Sequence, residues 1–148
     1  GIWQVNTQEK PFGPSPHGMS WGDTPWDEAY KLAGSAQVGV GKRLLERYHW
    51  WEFERHPEWA EPHATPENYH LAYAAGIPRS VRFFFLPTHS ALTFVKEIEK
   101  EVSYQAFYVD PRNGNEVDLG KVIPDEEGKW QPPKPPIFSD WILVMKSN

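Results

Sequence analysis

The sequence predicts an α+β chain, with helices over residues 1–58 and an antiparallel β-sandwich over residues 59–148. Three observations carry that prediction. Helical apolar periodicity is confined to the stretch between residues 24 and 51. From Tyr69 onward, short runs rich in aromatic and β-branched residues recur between turn signals, the spacing of a sandwich. The 15 prolines, 11 glycines and 8 tryptophans among 148 residues suit a fold with many corners better than a helical bundle.

Taken in order, "GIWQVN" alternates weakly and reads as a short strand. The Pro- and Gly-dense "TQEKPFGPSPHGMSWGDTP" reads as a long loop, the kind that in a compact domain is often functional. "TPWDEAYKLAG" reads as a short helix with Thr24 as N-cap, Pro25 at the first helical position, and Asp27 and Glu28 at the positive end. The main helix is expected in "SAQVGVGKRLLERYHWW", with Val38, Leu44, Leu45, Tyr48 and Trp51 near one face and Gly39 and Gly41 allowing close packing. "EFERHPEWAEPHATPEN" breaks the helix with three prolines, which sets a boundary around residues 56–67. Strands follow in "YHLAYAAG", "SVRFFFLP", "ALTFVKEI", "SYQAFYVD", "NEVDLGKV", "KWQPP" and "DWILVMK". The unbroken "FFFLP" indicates a central strand covered on both faces, whereas "EIEKE" reads as a solvated edge or turn.

Several function classes fall away. The net charge is −5 with no basic block, so nothing draws the chain to a phosphate backbone. Without cysteine there is no thiolate nucleophile and no thiolate zinc site. No apolar run approaches the ~20 residues of a membrane span. His49, His56, His63 and His70 recur every seven residues, but Pro57, Pro62 and Pro66 prevent one helix from stacking them, so no metal site is expected. No cofactor motif is present. The compartment stays open, with a secreted or periplasmic setting favoured.

"DPRNG" in "FYVDPRNGNEVDLG" has the chemistry of a turn. Asp110 can accept from backbone N–H groups ahead of it, Pro111 fixes φ, and Asn113-Gly114 supplies positive φ. A site role for Arg112 is the alternative. The same stretch, followed by "KWQPP" and "SDWILVM", resembles the trailing β domain of apiosidase-like (DUF4038-type) glycoside hydrolases, a domain often labelled collagen-binding. The matching positions are Asp110, Pro111, Arg112, Gly114, Pro132, Pro133 and Asp140 to Val144. "GIWQVN" and "PWDEAYKLAGSAQVGVGKRLLERYHWW" resemble the last strand and following helices of that family's (β/α)8 barrel.

The resemblance implies a particular division of labour. The chain would supply the last strand and helices of the barrel, followed by the β-sandwich. The two carboxylates that glycosidases require would lie on earlier barrel strands, so none of this chain's residues is expected to be catalytic. Trp3, Gln4, His17 and Trp21 would line a sugar subsite, because aromatic rings stack on sugar faces and amides bond hydroxyls. Barrel core is the competing role for Trp3 and helix packing for Trp26, while Trp130 and Trp141 belong to the sandwich core. A single strand and its helices cannot close a barrel, so a second chain carrying the rest is expected, with a carbohydrate as substrate. The alternative is a non-catalytic β-sandwich module that binds a carbohydrate or a protein.

Overall fold

The structure is a computed structural model and describes residues 5–11 and 24–148. Two units divide the chain, Gly1–Arg43 and Leu44–Asn148. In the first, Pro25 is the N-cap of α1 (Trp26–Ala29), with φ −57° and ψ 150° and no side-chain cap. This corrects the expected Thr24 cap: proline stands one step before the first turn, not inside it. Asp27 and Glu28 do occupy that first turn, where the positive end of the helix favours carboxylates. Helix α2 (Ala33–Leu45) contains Gly39 and Gly41, yet a Cβ at Gly41 would meet nothing within 4 Å and one at Gly39 only the tip of Arg43. The close-packing role expected for them is not found among the described residues.

Helix α2 stops at Leu45 rather than continuing to Trp51. The reason lies in one ring. Tyr48 and Phe53 both rest on Phe83, at centroid distances of 5.2 and 5.1 Å. A straight helix would separate two residues five apart by about 7.5 Å along its axis. The chain bends instead, through a 3-10 turn at Trp50–Glu52. Leu44 is buried against the sheet, whereas Val38 and Trp51 are exposed.

The second unit is mostly antiparallel sheet. Its strands are β1 (Glu54–Arg55), β2 (Ala60–Glu61), β3 (Tyr73–Ile77), β4 (Val81–Leu86), β5 (Phe94–Val95), β6 (Tyr104–Val109), β7 (Glu116–Lys121) and β8 (Trp141–Ser147). Six form one sheet in the order β1-β3-β4-β8-β6-β7, and β2 pairs with β5 in a two-stranded ribbon. All these pairings are antiparallel. Glu54 and Arg55, on the N-terminal side of the expected 58/59 division, pair with Ala75 and Gly76 of β3. "KWQPP" contributes only an isolated bridge between Trp130 and Val95.

Strand β4 is interior to the sheet, and five of its six residues are buried, but the expected cover on both faces is incomplete because Phe85 is exposed. Alternate residues point to opposite sides of the sheet. Phe84 and Leu86 join Ala74, Tyr104, Tyr108, Trp141, Leu143 and Met145 in the larger core, roofed by Trp59, Ala60 and Val95 from the ribbon side. Val81 and Phe83 face the other way, with Phe107, Val109 and Val144, beneath Leu44, Tyr48 and Phe53. Gly76 makes the β3–β4 hairpin possible, since a Cβ there would lie 2.1 Å from the Val81 carbonyl oxygen.

Candidate functional site

On the Phe83 side, the sheet is only partly covered. Tyr73 (45% exposed) and Phe85 (43% exposed) lie opposite each other on β3 and β4, their ring centroids 6.3 Å apart. Leu45, Phe53, Pro57 and Ile142 complete a cavity of about 500 Å³. That volume is in the range of small-ligand clefts. Its lining is overwhelmingly apolar, with Arg55 as the one charged side chain. Such a surface can seat an apolar face of a partner or ligand, but it holds no carboxylate or histidine, and the Tyr73 hydroxyl donates to the Tyr69 carbonyl.

The other face contains a charged group that sequence reasoning missed. Arg82 is 1% exposed. Its guanidinium donates to the carbonyls of Lys96 (2.9 Å) and Glu97 and to Glu99 Oε2 (2.7 Å). It also lies 4.1 Å from the Trp59 ring centre, and that ring stacks on His56 at 3.8 Å. Tyr104 donates its hydroxyl to the same Glu99 oxygen at 2.8 Å. "EIEKE" is thus no mere solvated turn, because Glu99 is the counter-ion of a buried arginine. Burial raises the Glu99 carboxyl, but its backbone bonds, the Tyr104 hydroxyl and the Arg82 charge outweigh it and hold it below its ordinary value. Burial, reinforced by Glu99, pushes Tyr104 up to about 12. The signal for this cluster was an arginine on the inward-facing register of "SVRFFFLP", where a charge demands a partner.

"DPRNG" closes the β6–β7 hairpin as a turn. Asp110 Oδ1 accepts from the Arg112 backbone N–H and Nε, both at 2.9 Å, while Oδ2 accepts from Arg112 Nη2 (2.6 Å) and Asn113 Nδ2 (3.2 Å). Gly114 carries the positive φ, 82°, and Asn113 does not share it. The Arg112 side chain, through its hydrogen bonds, is the largest influence holding the Asp110 carboxyl below its ordinary value. Arg112 is therefore engaged within the turn, with its side chain about half exposed.

Of the residues expected at a sugar subsite, Trp3, Gln4, His17 and Trp21 all lie outside the described residues. Trp26 is largely exposed rather than packed into its helix, whereas Trp141 is buried and Trp130 packs against the main core. Several carboxylates are paired: Glu58 with His56, Glu61 with Lys96, Glu101 with Arg79, and Glu116 with Arg47. Asp125 accepts from the backbone N–H groups of Glu127 and Lys129, as a turn residue does. No carboxylate lines the apolar cavity, so it offers no glycosidase pair. Among the described residues, no cluster of three or more His, Asp or Glu could hold a metal ion. None of the described helices is long and apolar enough to cross a membrane.

No family model matches the sequence, and no curated protein does. Solved structures do resemble it. A glycoside hydrolase superposes with a TM-score of 0.69 and 17% identity over 93% of this chain and 30% of its own. A glycoside hydrolase family 5 structure from Bacteroides vulgatus ATCC 8482 superposes with a TM-score of 0.64 and 13% identity, over 83% of this chain and 26% of its own. The fold is therefore one found within glycoside hydrolases, and the chain spans less than a third of these structures' length.

Proposed function

We propose that this chain is the C-terminal part of a glycoside hydrolase of the apiosidase-like class, in which it completes the barrel and contributes a sugar subsite. The observation that carries the reading is the superposition of 93% of the chain on 30% of a glycoside hydrolase, in agreement with the order of motifs from "GIWQVN" to "SDWILVM". The two catalytic carboxylates lie on the remainder of the barrel, supplied by a second chain. Trp3 and Trp21 stack on the sugar, and Gln4 and His17 bond its hydroxyls.

The test begins with the protein drawn from its source. Native mass, followed by denaturing mass on the same sample, should show a larger companion chain. Hydrolysis of a panel of aryl glycosides should follow the pair and be absent from this chain alone. Trp3→Ala and Trp21→Ala should raise KM in the assembled enzyme. A solitary, fully folded 17.1 kDa monomer with a protease-resistant N-terminal third would refute the reading.

A further inference from the structure

A second cavity, at the far end of the large core, has a different character. It encloses about 180 Å³ between the segment after β4 and the proline run before β8, where His89, Ser90, Thr93, Gln131 and Lys134 supply its polar edges. That is smaller than the ~300–1,000 Å³ of drug-sized clefts, and it suits one ring rather than an extended ligand.

Three features mark it as a built site. The first is its wall, which is held in place: the Tyr108 hydroxyl donates to the Pro133 carbonyl at 2.7 Å, and Trp141 Nε1 donates to the Ile137 carbonyl at 3.1 Å. The second is His89 Nδ1, which is buried and has no hydrogen-bond partner. A buried polar atom left unpaired is unfavourable, and a turn of the ring toward the cleft would give it a partner. The third is Phe138, which stands beside the cleft rather than in its lining. It is 85% exposed, and its ring lies 5.4 Å from that of His89. A phenyl ring displayed in water on an anchored segment contributes nothing to the core. Beside polar side chains, it is the platform on which the apolar face of a sugar stacks while the hydroxyls find donors and acceptors.

We propose that this cleft is a non-catalytic carbohydrate-binding site: Phe138 stacks on a pyranose ring of a polysaccharide, and His89, with Gln131 or Lys134, bonds its hydroxyls. The ligand class rests on the glycoside hydrolase reading; the geometry of the cleft does not. Lacking any carboxylate in its lining, the cleft would hold the polymer without cleaving it.

Affinity electrophoresis of the full chain tests this, in native gels cast with mixed-linkage β-glucan, xylan, galactomannan or gelatin. At least one polysaccharide should retard the wild type. Phe138→Ala, which removes an exposed ring and leaves the core intact, should weaken that retardation tenfold or more. His89→Phe, which keeps a ring and deletes Nδ1, should weaken it as well. Ile123→Ala, at another exposed apolar position, should leave it unchanged. The proposal is overturned if no polysaccharide retards the chain, if Phe138→Ala behaves as wild type, or if gelatin alone retards it, which would make the cleft a protein-binding surface. Aryl glycoside turnover by the assembled enzyme is measured separately, so loss of this site and loss of the hydrolase reading give different results.

Discussion

Removing Glu99 isolates what the buried charge contributes. In Glu99→Ala, Arg82 keeps its bonds to the Lys96 and Glu97 carbonyls but loses its counter-ion, and the Tyr104 hydroxyl loses its acceptor. Two hydrogen bonds to a charged group, each contributing about 1.5–3 kcal/mol, set an upper bound of ~3–6 kcal/mol. The Glu99 side chain is 18% exposed, so water can enter the gap and recover part of this. The expected loss is about 2–4 kcal/mol, near the lower end for stripping one partner from a buried pair. Denaturant unfolding followed by tryptophan fluorescence measures it, since Trp59 lies directly against the guanidinium. In an Arg82→Met background, the same Glu99 change should cost much less, because no buried charge is left exposed to the loss. The pair also sets a pH dependence. A carboxyl held below its ordinary value of 4.5 stabilises the fold fully above that value, and the contribution is lost as pH falls through the lowered one. Wild type should therefore lose stability in acid below about 4.5 more steeply than Glu99→Gln. A neutral Glu99→Ala, or an unchanged cost in the Arg82→Met background, would show that the ion pair is incidental to the core.

Other perturbations separate turn, strand and cleft. Gly76→Ala should destabilise the fold by at least about 3 kcal/mol, read from the denaturation midpoint, because its Cβ would meet a backbone carbonyl at 2.1 Å that cannot rotate away. Asp110→Ala should cost about 1–2 kcal/mol by releasing the bonds that shape the β6–β7 turn. Asp110→Asn should also flatten the acid limb of the stability curve below the ordinary value of 3.8, since the native carboxyl is held lower. Trimming Arg79, whose pairing with Glu101 is exposed on both sides, should leave the unfolding midpoint unchanged.

The sheet was legible because its signals are short-range. Strands β4, β6 and β8 follow runs rich in aromatic or β-branched residues, β3 and β7 carry a weaker form of the same signal, and "DPRNG" turns the chain between β6 and β7 because Asp110 and Gly114 act within a few residues. Strand order was not legible. That β8 inserts between β4 and β6 depends on which apolar faces meet, and no local pattern encodes this. The end of α2 was missed for a related reason: the bend at Leu45 is set by Phe83, thirty-eight residues away in the sequence. The strand expected in "ALTFVKEI" shrinks to Phe94–Val95 because the residues that follow turn their carbonyls toward Arg82.

The candidate sites follow the same division. Trp3, Gln4, His17 and Trp21 could be named without a structure because the motifs around them resemble the end of a glycoside hydrolase barrel, where rings would stack on a sugar and amides bond its hydroxyls. His89 and Phe138 could not. In sequence, one is a histidine after a strand and the other a phenylalanine after a proline run, separated by 49 residues. Only the fold sets their rings side by side, and only burial reveals that a nitrogen of one is unpaired. Pro132 and Pro133 read as the end of a short strand, whereas in the fold Pro133 is fastened by Tyr108 and its neighbours line the cleft. A proline run has little conformational entropy to lose when it receives a ligand. That rigidity suits a surface that must hold a polymer, and it explains why an anchored proline segment can display Phe138 to water without collapsing over it.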